Sequence, residues 1–221
     1  MKVIVFGATG MIGQGVLREC LLASDVEAVL TVGRTPTGQS HAKLREIAHA
    51  DLGDLTPIAD ELSGYDACFF CLGVSSVGMN EADYKRITYD YTLAAARPLA
   101  AGSPDLTFVF VSGAGTGSGN SMWSRVKKQA EDDVLALPFR AYMFRPGFIQ
   151  PLHGITSRTR LYRTLYAVLK PLTPVFRRLF PKQFTTTEAM GHAMLNAARG
   201  RATKRVLDSD AINELASAHA V

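Results

Sequence analysis

Residues 2–13, KVIVFGATGMIG, decide the fold of this chain. The first five form a β-branched and aromatic run, typical of a strand buried on both faces of a parallel sheet. Gly7, Gly10 and Gly13 follow with the spacing G-x-x-G-x-x-G, and residues 14–23 then carry apolar side chains at helical spacing. A strand, a glycine-rich turn and a helix in this order are the structural context that the glycine motif requires.

The glycine turn predicts a site for a dinucleotide pyrophosphate. Gly7 permits a tight turn, Gly10 lets the backbone approach the pyrophosphate, and Gly13 lets the helix pack close to the sheet. The free N–H groups and the dipole at the helix N-terminus favour the anion. The predicted loop consists of Gly7, Ala8, Thr9, Gly10, Met11, Ile12 and Gly13.

Strands alternate with helices along the rest of the chain. The predicted strands span residues 2–6, 28–32, 65–72, 106–111, 140–144 and 206–207, and the predicted helices span residues 14–23, 55–62, 80–101, 122–137, 187–199 and 211–218. Residues 46–51 form a weak third strand, although residues 43–49 could equally be helical. The alternation predicts an α/β fold, a doubly wound parallel sheet of the Rossmann type with a small C-terminal lid. Residues 1–221 are predicted to form one domain.

Composition excludes several classes of protein. The 221 residues are 47% hydrophobic and 20% charged, which excludes whole-chain disorder, collagen-like repeats and a disulfide scaffold. Three cysteines are too few for a disulfide framework, so we expect a reducing compartment and a cytoplasmic protein. Neither a signal peptide nor a membrane span is expected. Cys68 and Cys71 lie in a predicted strand and point to opposite faces, so no metal site is predicted there or elsewhere.

The positive charge is concentrated in one segment. Residues 134–187 contain nine basic and no acidic residues, giving +9, whereas the remaining 15 basic and 20 acidic residues give −5. We expect an insertion on the substrate side of the sheet at about residues 148–187, with a basic amphipathic helix over residues 157–170. Residues 157–182 could form a lid, contact a peripheral membrane surface, or bind a protein partner or a second copy. Nucleic acid is not expected, because no recognised module accompanies the charge.

The end of the second strand indicates which cofactor is preferred. An NAD site often carries Asp or Glu there, hydrogen-bonded to the ribose 2′-hydroxyl. This chain has Arg34 and Thr35 instead. A guanidinium can pair with a 2′-phosphate through two hydrogen bonds, so NADP(H) is favoured over NAD(H).

At these residues the chain resembles the short-chain dehydrogenase/reductase superfamily. The G-A-T-G-x-x-G loop indicates its atypical, epimerase/dehydratase-like branch, and the chain is most similar to the Tat-interacting-protein group. The resemblance continues through residues 71–73, 145–147 and 188–197. It implies a Rossmann fold and an NADP(H)-dependent oxidoreductase or epimerase-like enzyme acting on an unknown small molecule.

The resemblance also assigns roles to individual residues. Asp51 and Leu52 match the pair that contacts adenine, Leu72 and Gly73 the floor of the adenosine ribose site, and Pro146 and Gly147 the segment beside the nicotinamide. Ser112 matches the catalytic serine of the superfamily. Lys127 matches the lysine that holds the nicotinamide ribose and lowers the pKa of the catalytic tyrosine.

The position of the catalytic tyrosine is occupied by Trp123, four residues before Lys127. An indole N–H is a donor without an accessible pKa, so it cannot supply the proton that a tyrosine supplies. Three alternatives follow: a non-catalytic module that binds NADP(H) for regulation, redox sensing or protein interaction, an enzyme using another acid such as Tyr89, Tyr91 or His153, or reduction of an acceptor that needs no such acid.

Overall fold

A seven-stranded parallel sheet forms the centre of the molecule. The structure is a computed structural model that describes residues 1–156 and 181–218. The strands are β1 (Lys2–Phe6), β2 (Ala28–Gly33), β3 (Leu44–Ala48), β4 (Ala67–Phe70), β5 (Thr107–Val111), β6 (Arg140–Arg145), β7 (Phe148–Gln150), β8 (Phe184–Thr186) and β9 (Val206–Asp208). The main sheet has the order β3-β2-β1-β4-β5-β6-β9, and β7 and β8 form a separate parallel pair.

Helices cover both faces of the main sheet. They are α1 (Met11–Leu22), α2 (Glu81–Lys85), α3 (Tyr91–Gly102), α4 (Met122–Leu135), α5 (Thr187–Ala198) and α6 (Ser209–Ala216). Short 3-10 helices span Thr56–Leu62 and Pro181–Gln183, and one π-helical turn spans Arg86–Asp90. None of the helices among the described residues has both the length and the apolar character needed to cross a membrane.

The alternation of side chains along β1 divides the core into two layers. Ile4 and Phe6 are buried with apolar residues of α3 and α4 on one face of the sheet. Val3 and Val5 are buried with apolar residues of α1, α5 and α6 on the other. A strand apolar on both sides is stable only between two layers of helices, which is why the sheet is doubly wound.

Glycines bring α1 and α5 into close contact. A Cβ atom on Gly15 would lie 2.6 Å from the Cβ of Thr187, and one on Gly191 would lie 2.6 Å from the Cγ of Glu19. Both helices are therefore packed more closely than larger side chains would allow. The contact fixes α1, whose N-terminus carries the glycine turn.

The predicted fold class is confirmed, but several elements differ in detail, and the pair of β7 and β8 was not predicted. The third strand begins at Leu44 rather than residue 46, because Val29 to Gly33 pair with Leu44 to Ala48. The helix expected as one piece over residues 80–101 begins after Asn80, as predicted, but is interrupted by the π-turn. The predicted basic helix over residues 157–170 lies outside the described residues.

The two cysteines of the C-x-x-C sequence belong to different layers of the core. Cys68 is buried with the α3 and α4 layer, and Cys71 packs against the α1 and α5 layer, as the strand geometry predicted. Both are free thiols. Burial raises the pKa of each thiol above its ordinary value, so neither is a reactive thiolate at neutral pH.

Candidate dinucleotide and catalytic site

The glycine turn lies at the carboxyl end of β1, where the strand order of the sheet reverses between β2 and β4. Gly7 has a φ of +76°, and a Cβ atom there would lie 2.7 Å from the backbone nitrogen of Leu72. The Gly10 N–H donates to the Gly7 carbonyl oxygen at 2.9 Å, which closes the turn. Ligands of open α/β sheets bind in the crevice at this reversal point.

Gly13 allows a close approach between the start of α1 and the chain that leaves β1. Its Cβ atom would lie 2.1 Å from the Gly7 carbonyl oxygen, so the first turn of α1 packs on the glycine turn itself. Among the described residues, a Cβ atom at Gly10 would meet only the Gly7 oxygen, at 3.3 Å. The space over Gly10 is therefore open to an approaching anion, which fits a pyrophosphate at the start of α1.

A pocket of about 340 Å³ extends from the glycine turn to the end of β2. It is lined by Gly7, Ala8, Thr9, Thr31, Val32, Gly33, Arg34, Thr35, Thr37, Leu52 and Leu72. Seven of these residues were predicted from the sequence, and Thr31, Val32, Gly33 and Thr37 were not. The combination of bare backbone at one end and a guanidinium at the other fits a phosphorylated nucleotide.

Glu46 of β3 shapes the side of the pocket that holds Arg34. Its carboxylate accepts hydrogen bonds from the Thr31 hydroxyl at 3.0 Å and from the Thr37 N–H at 2.8 Å. Although burial opposes the shift, these hydrogen bonds hold the pKa of Glu46 below its ordinary value. The carboxylate is therefore ionised and fixes the loop after β2.

The remaining predicted cofactor residues, among them Asp51, Gly73, Pro146 and Gly147, do not line this pocket. Asp51 is exposed, and its carboxylate accepts from the Gly53 N–H at 2.9 Å. Gly73 is open, because a Cβ atom added there would have no neighbour within 4 Å among the described residues. The Pro146 carbonyl accepts from the Ala114 N–H at 2.9 Å. Gly147 faces Gln183, whose carbonyl oxygen would lie 2.7 Å from a Cβ, so it packs against the protein on that side.

Ser112 lies at the carboxyl end of β5 and is buried. Its Oγ is 2.7 Å from the Oγ1 of Thr116, and the Thr116 hydroxyl donates to the Gly113 carbonyl at 2.8 Å. A hydroxyl has only one hydrogen to donate, so Ser112 is the donor to Thr116. Polarising a substrate carbonyl would require the Ser112 hydrogen to turn away from Thr116.

Lys127 reaches the same strand end from α4. Its ammonium group donates to the Ser112 carbonyl oxygen. Burial lowers the pKa of Lys127 to about 8, an effect that the negative charge of Glu131 opposes. The structure thus brings together the two predicted catalytic residues, and it gives Lys127 a pKa near the pH at which enzymes work.

The lowered pKa of Lys127 predicts a pH-dependent stability. Between about pH 8 and 10.5 the unfolded chain binds more protons at this lysine, so stability rises with pH in that interval. Lys127→Met removes the effect. We expect the stability of wild type relative to Lys127→Met to increase by about 1–2 kcal/mol from pH 7 to pH 9.5, measured by urea unfolding. A pH-independent difference would contradict the assignment.

Trp123 and Lys127 lie one turn apart on α4. A Cβ atom on Gly115 would lie 3.1 Å from the Cη2 of the Trp123 ring, so the indole packs against the loop after β5. The loop is also held to α4 by Ser124, whose hydroxyl donates to the Gly115 carbonyl at 2.9 Å. Trp123 is therefore packed on the loop after β5 that begins at Ser112.

Each of the three alternative acids considered from the sequence has other neighbours in the structure. The Tyr89 hydroxyl donates to Asp133 of α4, and this hydrogen bond raises the pKa of Tyr89. Tyr91 lies beside Gly53, near the predicted adenine end. His153 pairs with Glu188 at the start of α5.

A buried ion pair between Glu131 and Arg145 stabilises the position of α4. Glu131 is 1% exposed, and its carboxylate accepts from the Arg145 Nε at 2.9 Å and from an Arg145 Nη as well. The pair joins α4 to the end of β6. Because Glu131 is one helical turn after Lys127, it also provides the nearest compensating charge for that ammonium group.

The fold and the pocket define a Rossmann-type dinucleotide-binding protein. Residues 3–140 match the NAD dependent epimerase/dehydratase family. The chain belongs to this family, and the family match supports binding of a nicotinamide dinucleotide cofactor. The predicted resemblance to the short-chain dehydrogenase/reductase superfamily is thereby confirmed.

Relatives and solved structures agree with this assignment. The chain is 30% identical over 153 residues to Protein FMP52-1, mitochondrial, of Scheffersomyces stipitis, and the match spans 67% of each chain. An oxidoreductase of the short chain dehydrogenase/reductase family from Burkholderia thailandensis superposes with a TM-score of 0.73 at 18% identity, covering 96% of this chain and 92% of that one. A UDP-glucose 4-epimerase gives 0.70 at 15% identity, covering 97% and 80%.

The relatives correct the predicted localisation. The cytoplasmic expectation rested on three cysteines, but the matched relative from Scheffersomyces stipitis is named mitochondrial. A small, odd number of cysteines excludes a disulfide framework and does not identify which compartment a protein occupies. The cytoplasmic expectation is therefore wrong.

Proposed function

We propose that the chain binds NADP(H) in preference to NAD(H), with Arg34 pairing with the 2′-phosphate. Arg34 and Thr35 are exposed at the end of β2 and line the pocket. Glu46, a carboxylate that hydrogen-bonds to two residues lining the same pocket, is occupied by Thr31 and Thr37. A ribose 2′-hydroxyl therefore lacks its usual acceptor here, whereas a 2′-phosphate gains a guanidinium partner.

We assign the chain an oxidoreductase or epimerase-like activity on an unidentified small molecule. The observation that carries this proposal is the convergence of Ser112 and Lys127 at the end of β5. The bound nicotinamide would supply or accept a hydride. Ser112 would orient the reacting carbonyl by transferring its hydrogen bond from Thr116 to the substrate.

Lys127 is our candidate for the donor of the proton that tyrosine supplies in relatives. Tyr89 and His153 are paired with Asp133 and Glu188, whereas the Lys127 ammonium donates to the Ser112 carbonyl oxygen. Burial lowers the pKa of Lys127 to about 8, so it can both release and regain a proton near neutral pH. The same ammonium would also hold the nicotinamide ribose, as the family resemblance implies.

A second candidate function is a module that binds NADP(H) without turnover and acts in regulation, redox sensing or protein interaction. The observation that favours it is the position of Trp123 against Gly115, where the family acid would stand. Loss of a positioned acid typically lowers the rate by about 10²–10⁴-fold. A homodimer or a membrane contact through residues 157–182 remains a proposal from the sequence, since residues 157–180 lie outside the described part of the chain.

Oxidation of NADPH with a panel of ketones, aldehydes and quinones separates the two functions. If the chain is an enzyme, we expect wild type to turn over at least one acceptor. We expect Ser112→Ala and Lys127→Met each to lower kcat by about 10²-fold or more. Trp123→Tyr should raise carbonyl reduction, because it restores the missing acid. Lys128→Met is the matched control, since Lys128 is exposed on the same helix and pairs with Asp132.

Two results of the same assay would contradict the proposed enzyme activity or its assigned residues. Tight binding of NADPH with no turnover by wild type would favour the non-catalytic module. Turnover that is unchanged in Ser112→Ala and Lys127→Met would remove both residues from the mechanism. NADPH affinity is measured for each variant, so that loss of cofactor binding is distinguished from loss of chemistry.

A further inference from the structure

A cluster of two carboxylates and two imidazoles lies between α1, α5 and the loop after β7. Its members are Glu19, His153, Glu188 and His192. One ligand atom each from Glu19, His153 and Glu188 lies within 4.8 Å of the other two. The Nε2 of His192 is 3.3 Å from Glu19. None of these residues lines the nucleotide pocket or belongs to the catalytic pair.

We infer that this cluster, hereafter the His–Glu cluster, is a binding site for a divalent transition metal, with zinc as the favoured ion. Imidazole nitrogens and carboxylate oxygens together are typical zinc ligands, whereas Mg²⁺ and Ca²⁺ prefer oxygen ligands throughout. Glu19, His153 and Glu188 supply three grouped ligands, and His192 beside Glu19 is the candidate for the fourth position of a tetrahedral zinc.

The fold places the ligands in a suitable arrangement. Glu188 and His192 are four residues apart on α5 and share one face of the helix. His153 already pairs with Glu188, and His192 faces Glu19, so each histidine has a carboxylate beside it. Ligand atoms of a tetrahedral zinc are ~3.4 Å apart, and those of Glu19, His153 and Glu188 lie within 4.8 Å of one another, so no pair would need to approach by more than ~1.4 Å.

The cluster has a buried floor and an open side. Glu19 is 4% exposed, while the side chains of His153, Glu188 and His192 are 37%, 39% and 46% exposed. Gly191 makes the room for Glu19, because a Cβ atom there would lie 2.6 Å from the Glu19 Cγ. An ion can therefore enter from solvent and meet a carboxylate that the packing of α1 on α5 holds in place.

The charges of the cluster favour a cation. Arg18 pairs with the Oε1 of Glu19, and Glu188 carries a second negative charge. With both histidines neutral, the two carboxylates and the Arg18 guanidinium leave a net charge of −1, which attracts a divalent cation. The ion would connect α1, α5 and the loop after β7, so we expect the melting temperature to rise with the logarithm of the free zinc concentration once that exceeds the dissociation constant.

The test is titration of the metal-stripped full chain with ZnCl₂ and, separately, with MgCl₂ by calorimetry. We expect one zinc per chain with a dissociation constant of about 10 μM or tighter, a rise in melting temperature with added zinc, and no site for Mg²⁺. His153→Ala, His192→Ala and Glu188→Gln should each weaken zinc binding at least ~10-fold. These three side chains are partly exposed, so the variants are expected to fold.

His41→Ala and His49→Ala are the matched controls, because both histidines lie outside the His–Glu cluster. Each should leave zinc affinity within about twofold. Absence of zinc binding, equal binding of Mg²⁺, or zinc binding that survives in both His153→Ala and His192→Ala would overturn the inference. So would an equal loss in the control variants, which would indicate non-specific binding. NADPH affinity and melting curves without metal confirm that each variant is folded.

Discussion

Gly13→Ala is expected to abolish measurable NADPH binding and to lower the free energy of unfolding by about 1–3 kcal/mol. The added Cβ would lie 2.1 Å from the Gly7 carbonyl oxygen and 2.8 Å from the Ala8 Cα, so the first turn of α1 must move away from the glycine turn. That movement displaces the N–H groups that would hold the pyrophosphate.

Gly10→Ala separates binding from folding at the same turn. Gly10 has φ −77° and ψ 164°, values that alanine adopts without strain, and its Cβ would meet only the Gly7 oxygen at 3.3 Å. We expect stability to stay within about 0.5 kcal/mol of wild type, while NADPH affinity falls at least ~10-fold.

Gly102→Ala is the matched control for both variants. It ends α3, and among the described residues no atom lies within 4 Å of the added Cβ. Stability is measured by urea unfolding and affinity by the fluorescence of bound NADPH. Unchanged NADPH affinity in Gly13→Ala and Gly10→Ala would contradict the assignment of the glycine turn to the cofactor.

Arg145→Met is expected to destabilise the protein by about 3–5 kcal/mol, because it leaves a buried carboxylate without its partner. Glu131 is 1% exposed and is bound by two nitrogens of Arg145. Lys127 remains near Glu131 but donates to the Ser112 carbonyl, so it replaces the lost hydrogen bonds only in part.

The double variant Glu131→Met/Arg145→Met tests that explanation. Replacing both charges by apolar side chains removes the unpaired carboxylate, so most of the lost stability should return. Lys128→Met breaks only an exposed pair with Asp132 and should cost less than about 1 kcal/mol. A loss below about 1 kcal/mol in Arg145→Met, measured by urea unfolding, would show that the pair does not hold α4 to β6.

The parts of the fold that were predicted correctly have strong local signals. Residues 2–6 are apolar on both sides of the strand, and the glycine turn comes directly before an amphipathic helix. The start of the long helix was also predicted, because Asn80 is a good N-cap and its side chain accepts from the Asp83 N–H. In each case neighbouring residues alone determine the structure.

The parts that were missed depend on contacts between distant residues. The strand β3 lies at the sheet edge, where partial exposure weakens the apolar alternation, and its start is fixed by pairing with β2. The π-turn at Arg86–Asp90 inserts one residue per turn without a Gly or Pro to mark it. Pro98 lies in α3, beyond the interruption.

The candidate site also has a part that local motifs predict and a part that depends on contacts between distant residues. The glycine turn and Arg34 were predicted because each is part of a motif with a fixed position after a strand. Thr31 and Thr37 enter the pocket through hydrogen bonds to Glu46, which belongs to a different strand. The His–Glu cluster combines three segments that only the packing of α1 on α5 brings together.

The most direct test of the central claim is the affinity of wild type and Arg34→Asp for NADPH and NADH. We predict that wild type binds NADPH at least ~10-fold more tightly than NADH, because one charge-assisted pair with the 2′-phosphate is worth about 1.5–3 kcal/mol. Arg34→Asp should reverse that preference, and Arg45→Asp, with the same charge change on β3, should leave it intact. Equal affinity of wild type for the two cofactors, or unchanged NADPH binding in Arg34→Asp, would contradict the account.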